Sequence, residues 1–251
     1  MRRCHREVRV WGRGGGQDVG VVKGGRAALL VLAKAPVPGE VKTRLCPPTT
    51  LDHAARIAAA AFLDTLDAVL AVPDVLPVVA LTGDLANAVG GAELRARLRE
   101  TTLLPQRGTT LGQRIAAAHS DTAAALGHRP VLQIGMDTPQ AGDALLNHCL
   151  AQLDGDGVDA ALGRATDGGW WVLGVQRPEL ADLIADIPTS RPDTGARTLA
   201  ALRTAGCQVT ELPVLSDVDT WQDAAAVAAA VPGGRFAAAV AAGWAALGGP
   251  R

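Results

Sequence analysis

AALLVLAKAPVPGEVKTRL, residues 27–45, is the stretch from which the fold can be read. Its first part, residues 28–32, is a continuous apolar run with the length of a buried strand. The run then opens into a loop stiffened by Pro36 and Pro38, in which Gly39 permits a tight turn. Lys34, Lys42 and Arg44 place three cations in this loop, beside Ala33 and Thr43. A nucleotide di- or triphosphate is the natural ligand for cations at a strand end, although a solvated basic loop has the same composition. The glycine framework that a Walker A loop needs ahead of its Lys-Thr pair is missing before Lys42-Thr43.

Outward from this stretch, short apolar runs alternate with longer amphipathic ones. Residues 52–70 carry Ile57, Ala61, Leu66 and Val69 at helical spacing, and residues 76–81 read as a second strand. A polar, partly helical excursion over 85–99 is followed by a helix at 111–126 and a strand at 131–134. A helix at 141–153, short strands at 160–163 and 171–175, a helix at 198–205 and a strand at 208–212 follow, before two Ala-rich helices. The alternation predicts an α/β three-layer sandwich, with an open, mostly parallel sheet and helices on both faces. Such sheets bind ligands beyond the carboxyl ends of their strands, so functional residues are expected after Leu32, Leu81, Ile134 and Gly163.

Three of the remaining loops carry unusual residues. Gly135-Met136-Asp137-Thr138-Pro139 puts a carboxylate directly after a buried strand, where it can ligate a hard cation such as Mg2+ or Mn2+. Thr138 is placed to cap the next helix, and Asp-Thr-Pro is also ordinary turn chemistry. Thr166-Asp167-Gly168-Gly169-Trp170-Trp171 sets an acid and two glycines before paired tryptophans, of which one at most can face a ligand because neighbours in a strand point oppositely. In Ser216-Asp217-Val218-Asp219-Thr220 the two carboxylates share one face of an extended segment. Asp219 is either a second metal ligand or the cap of a helix beginning near Trp221.

Composition removes other classes. Twenty-four basic residues against 25 acidic ones give a net charge of -1, which argues against a nucleic-acid binder. Tyrosine is absent and only two Phe are present, too few for stacking single strands. The four cysteines are scattered with no C-x-x-C pair, the five histidines lack metal spacing, and no Gly-x-Ser-x-Gly elbow supports a nucleophilic hydrolase. No run of eighteen apolar residues or signal-peptide pattern occurs, so a cytoplasmic protein without membrane attachment is expected. Residues 1–26 are basic, Gly-rich and aperiodic, and read as a disordered tail before a single domain over 27–251.

Taken in order, Lys34-Ala35-Pro36-x-Pro38-Gly39-x-x-Lys42-Thr43-Arg44-Leu45, Gly135-x-Asp137-Thr138-Pro139, Asp167-Gly168-Gly169 and Asp217-Val218-Asp219-Thr220 resemble a family of glycosyltransferase-like proteins. That family has the glycosyltransferase-A, or nucleotide-diphospho-sugar transferase, fold, and some members are connected with arsenosugar biosynthesis. The layout is also similar to 2-phospholactate guanylyltransferase, where Lys-Ser-Arg-Leu stands in place of Lys42-Thr43-Arg44-Leu45. The resemblance covers about residues 28–225 and implies a transferase, with Ala33, Lys34, Gly39, Lys42, Thr43 and Arg44 around a nucleotide. Asp137 and Asp219 would hold a divalent metal, and Asp167, Gly168, Gly169 and Trp170 would meet a small-molecule acceptor. Lys42, Arg44 and Asp137 are then the expected catalytic residues. Three activities are compatible: nucleotidyl transfer from a nucleoside triphosphate, sugar transfer from a nucleotide-sugar, and nucleotide binding without turnover.

Overall fold

The computed structural model describes residues 24–247, so most of the tail expected over residues 1–26 lies outside the described residues. Arg26 already belongs to the folded body. Its backbone N–H donates to Asp74 O at 2.9 Å and its guanidinium to Asn147 and Asp154 at 2.9 and 3.2 Å.

A seven-stranded sheet runs in the order β3-β2-β1-β4-β6-β5-β7. Its strands are β1 (Ala27–Lys34), β2 (Val75–Thr82), β3 (Thr102–Pro105), β4 (Val131–Gly135), β5 (Ala160–Ala165), β6 (Trp170–Val175) and β7 (Val209–Leu215). The apolar run of the opening stretch is β1, buried between parallel neighbours β2 and β4. All strands are parallel except β6, which pairs antiparallel with both β4 and β5. The four residues between β5 and β6 explain the exception, because a parallel return needs a crossover of a dozen or more residues.

Among the described residues, seven α-helices accompany the strands: α1 (Leu51–Ala71), α2 (Gly91–Leu98), α3 (Leu111–Leu126), α4 (Asp143–Leu153), α5 (Thr194–Thr204), α6 (Trp221–Ala230) and α7 (Arg235–Ala246). The α/β three-layer architecture expected from the alternation is the observed one. On one face, Phe62 and Leu66 of α1, Leu94 of α2 and Leu146 of α4 pack on Leu29, Val31 and Ile134. On the other, Ile115 and Ala118 of α3, Leu202 of α5 and Ile184 pack on Leu30, Val131 and Leu173. His119 of α3 is wholly buried in that second layer, and burial pushes its pKa down to about 4, which keeps the imidazole neutral.

Helix α1 is buried on two sides. Ala54, Ile57 and Ala61 turn away from the sheet and pack with Trp221 and Val227 of α6, Phe236 and Val240 of α7, and Leu45 and Val218. This third cluster matters for the site, because Leu45 and Val218 sit in two of the four loops that carry its charges. Leu45 and Val218 are fixed there by apolar burial, each contributing about 1.5–3 kcal/mol relative to exposure.

Several elements differ from the sequence expectations. β3 lies in a stretch with no assigned element; it is a four-residue edge strand ending in Pro105. A 3-10 segment, Pro178–Ile184, was not foreseen either. Thr138 does not cap α4: Gly142 occupies the N-cap position, and Thr138 is buried instead.

Candidate active site

The carboxyl ends of β1, β4, β5 and β7 lie along one edge of the sheet, since these four strands run parallel. Chain order reverses between β1 and β4, and the crevice outside such a switch point is where open α/β sheets bind ligands. The loops leaving these four ends carry Lys34 to Arg44, Asp137, Asp167, and Asp217 with Asp219.

In the first loop, Gly39 turns with φ +81°. Lys34 is tied within the loop: its ammonium donates to Glu40 O at 2.9 Å and lies 3.4 Å from the Glu40 carboxylate. The chain then folds into a short 3-10 turn, Thr43–Leu45, anchored by the buried Leu45. Its N-cap is Lys42 in the left-handed region, φ 47° and ψ 34°. A non-glycine residue there costs on the order of 1 kcal/mol or more, and persists because surrounding contacts impose it. The contacts are visible. Lys42 Nζ donates to Asp137 Oδ2 and to Val218 O, both at 2.5 Å, and lies 3.8 Å from Asp219 Oδ1. Burial disfavours the ammonium, but Asp137, Asp219 and Asp217 outweigh it and hold the Lys42 pKa above its ordinary value. The more exposed Arg44 donates to Asp219 Oδ2 at 2.9 Å.

Asp137 follows β4 through Gly135 and Met136. A Cβ on Gly135 would lie 2.7 Å from Asp137 Oδ1, so glycine is what lets this carboxylate fold back over the strand end. Met136 is held from both sides, by the Thr65 hydroxyl donating to its carbonyl at 3.3 Å and by Lys34 N on its sulfur at 3.1 Å. Past β7, alternation buries Val218 in the α1–α6–α7 cluster and leaves Asp217 and Asp219 on the opposite side. The cap reading of Asp219 is removed, because Thr220 caps α6 in a reciprocal capping box with Asp223.

Asp217 is the site residue that sequence reasoning left unassigned. Burial pushes its pKa up to about 7, Asp137, Asp167 and Asp219 push in the same direction, and Lys42 opposes them. The spacing of Asp217 and Asp219 signalled a shared face; only the fold shows that two more carboxylates converge on it. Gln106 was missed as well. Its side-chain amide donates to Ala33 O at 2.7 Å and Ala80 O at 2.9 Å, bridging the ends of β1 and β2.

The Asp167-Gly168-Gly169 turn is built differently from the expectation that its glycines admit a ligand. Gly168 has φ +91°, and a Cβ there would lie 1.9 Å from Pro192 O. Gly195 N, in the first turn of α5, donates to Gly168 O at 2.8 Å. The close approach is therefore made by the chain entering α5. Asp167 is exposed, and one of its oxygens accepts from Gly169 N at 2.8 Å. Trp171 is buried and donates to Pro213 O at 2.8 Å, whereas Trp170 is half-buried on the opposite face.

Lys42, Arg44, Asp137 and Asp219 thus form one connected group, with Asp217 and Asp167 in its electrostatic neighbourhood. Among the described residues, no three His, Cys, Asp or Glu side chains converge closely enough to hold a metal as they stand; Lys42 lies between Asp137 and Asp219. An open cavity of about 370 Å3 bordered by Asp64, Asp67, Asp143 and Gly234 includes none of these groups.

The family described as "Uncharacterized protein conserved in bacteria (DUF2064)" matches residues 65–191. The chain belongs to this family. The matched segment includes Asp137 and Asp167 but neither the Lys42 loop nor the Asp217–Asp219 pair. Among solved structures, a "putative nucleotide-diphospho-sugar transferase" from Desulfovibrio desulfuricans G20 is similar, with 27% identity and a TM-score of 0.76. That match covers 89% of this chain and 96% of the other. The fold is shared more distantly with CMP:2-keto-3-deoxy-manno-octonic acid synthetase complexed with CTP, at 13% identity and TM-score 0.52 over 82% of this chain and 98% of that one. A cytidylyltransferase from Leptospira borgpetersenii serovar Hardjo-bovis (strain JB197) has 14% identity and TM-score 0.50, over 79% of this chain and 83% of that one. No curated protein matches the sequence. No helix among the described residues is long and apolar enough to cross a membrane.

Proposed function

We propose that this protein is a nucleotide-using transferase, and that it moves a nucleotidyl group from a nucleoside triphosphate to a phosphorylated small-molecule acceptor, releasing pyrophosphate. The observation that carries this reading is the convergence of Lys42 and Arg44 with three carboxylates at the β1/β4 switch point. Similarity to the Desulfovibrio protein over most of both chains supports a nucleotide donor. Guanylyl transfer to phospholactate is one such reaction, that of an enzyme whose motif layout is similar to this chain's.

The acceptor's phosphate attacks the α-phosphorus in line, forming the new P–O bond as the bond to pyrophosphate breaks. A phosphate nucleophile is already ionised, so this reaction needs no general base. Lys42 and Arg44 stabilise charge on the departing pyrophosphate. The donors fit a divalent cation in kind: Asp137 and Asp219 are hard oxygen ligands that already flank one cationic centre, the Lys42 ammonium, at 2.5 and 3.8 Å. Asp137 and Asp219 would hold Mg2+ or Mn2+, whose chemistry here would be to neutralise the polyphosphate.

One observation favours a second reading. The Desulfovibrio protein carries a nucleotide-sugar description, and exposed Asp167 keeps an oxygen outside its turn hydrogen bond, as a base for a hydroxyl acceptor requires. Sugar transfer of the kind found in arsenosugar synthesis would then release a nucleoside diphosphate. Incubation with a panel of nucleoside triphosphates and nucleotide-sugars, with Mg2+ or Mn2+ and phosphorylated acceptors, separates the readings. Pyrophosphate release supports the first and nucleoside diphosphate release the second. Saturable binding without either product leaves a non-catalytic nucleotide-binding module.

A further inference from the structure

The proposed function asks two things of the crevice that its observed geometry does not deliver together. Lys42 is to meet phosphate, yet two of its three N–H donors are spent on Asp137 and Val218 O and the third side faces Asp219. Asp137 and Asp219 are to share a divalent cation, yet the ammonium stands between them. Resting on that function, we propose that Lys42 is an internal stand-in for the metal: its ammonium closes the carboxylate cluster, and the cluster opens to a divalent cation only as Lys42 leaves.

Residue choice points the same way. Of the 24 basic residues only Lys23, Lys34 and Lys42 are lysines, and all others are arginines. One of these three occupies the centre of the cluster. A compact ammonium approximates a bound metal ion, whereas a planar guanidinium spreads its charge and fixes its donors in a fork. The side chain is only 11% exposed, so solvent screens its attraction to Asp137 weakly. Its backbone is held at φ 47°, between the buried Val41 and Leu45. Release of the ammonium removes one of the contacts that impose this conformation.

The consequence is coupling. A polyphosphate that draws Lys42 outward vacates the space between Asp137 and Asp219, and a cation that enters there frees Lys42 for phosphate. Each ligand then strengthens the other by the same factor, as linkage requires. Metal binding to the free protein is weak by construction, and tight in the presence of the nucleotide.

Mn2+ binding to the full chain, followed by electron paramagnetic resonance without nucleotide, tests this directly. Lys42→Met should bind Mn2+ at least about tenfold more tightly than the wild type, and Asp137→Asn in the Lys42→Met background should abolish that gain. Equal or weaker binding by Lys42→Met, with binding still dependent on Asp137, overturns the stand-in role while leaving the metal site of the proposed function intact. Binding that Asp137 does not affect in any variant overturns both. A measurement on the wild type guards against a variant that fails to fold. Lysine acetylation read by mass spectrometry should accelerate severalfold at Lys42, and not at Lys34, when Mn2+ is added. An unchanged Lys42 rate under Mn2+ occupancy overturns the inference.

Discussion

Two clusters of acidic and basic side chains on this molecule are built from similar residues and behave differently. Behind α1, Asp64, Asp67, Glu93 and Glu100 face Arg235 and Arg97, and each of the four carboxylates has an arginine within 3.4 Å. Asp64 accepts from the backbone N–H groups of Arg235 and Phe236 at 3.2 and 2.8 Å, which supplies the side-chain cap that Gly234 cannot give α7. Asp67 meets Arg235 at 2.6 Å and Arg97 at 2.8 Å. At the sheet's carboxyl edge only Asp137 and Asp219 pair with Lys42 and Arg44; Asp217 has no ion pair among the described residues, and burial, with Asp137, Asp167 and Asp219 nearby, raises its pKa to about 7. A cluster that satisfies its own charges holds a helix in place. One that does not leaves a buried carboxyl without a cation, which is what the proposed function draws on.

The largest expected effect would separate the clusters by pH. Between pH 3.8, the ordinary pKa of an aspartate, and about 7, the folded Asp217 carboxyl keeps a proton that the unfolded chain releases. The folded state therefore binds more protons in that window, and stability falls as pH rises through it. Roughly three pK units correspond to at most about 4 kcal/mol. In chelator-treated protein at pH 8, Asp217→Asn should be more stable than the wild type towards urea, with the difference vanishing near pH 4. A destabilised Asp217→Asn at pH 8 would show that the edge cluster is as balanced as the one behind α1.

The opposite sign is expected at Asp64. Asp64→Ala removes two N–H bonds at the start of α7 and leaves Arg235 short of a partner, a loss of about 2 kcal/mol. Turnover per folded molecule should be unchanged. If activity fell with no change in stability, the structural role given to that cluster would be wrong.

The balanced cluster could not be read in the sequence, because Asp64 and Arg235 are far apart in the chain and their partnership needs α7 folded back on α1. The edge cluster was largely legible. Its residues follow strands whose apolar runs are unmistakable, and β1, α3 and β4 lie where the periodicity puts them. Asp137 could be picked out because it follows such a strand, and Asp219 because it stands two residues from Asp217 and just before a helix. What escaped depended on convergence or on close packing between chains. The proton affinity of Asp217 comes from burial, from carboxylates on two other loops and from Asp219 on its own. Gly168 is required by Pro192, and β3 is too short and too close to a proline to announce itself. Thr138 has a capping residue's chemistry, but α4 begins at Asp143, too far along for Thr138 to serve as its cap.

Within the edge cluster, Asp137→Asn preserves size and most turn hydrogen bonds while removing one negative charge. Metal-dependent nucleotide binding or turnover should fall at least about tenfold, or about 1.4 kcal/mol, in a folded protein. Isothermal titration with Mg2+ and the preferred nucleotide provides the check. Full metal-dependent activity in this variant would take Asp137 out of the site.

The smallest effects should come from the two exposed cations of the first loop, and they sharpen the comparison because one serves the loop and the other the crevice. Lys34 is 42% exposed and bonded to Glu40 six residues on, so its charge is already spent locally. Arg44 is 69% exposed and its single partner is Asp219 in the cluster. Ion pairs this open contribute only about 0–1 kcal/mol to stability, so neither Lys34→Ala nor Arg44→Ala should move the melting temperature by more than a few degrees. Affinity for inorganic tripolyphosphate should divide them. Arg44→Ala should lose roughly threefold to tenfold, about 0.7–1.4 kcal/mol, while Lys34→Ala stays within twofold of the wild type. Equal losses in both variants would mean that the loop attracts polyanions by diffuse charge alone. No loss in Arg44→Ala would confine phosphate recognition to Lys42.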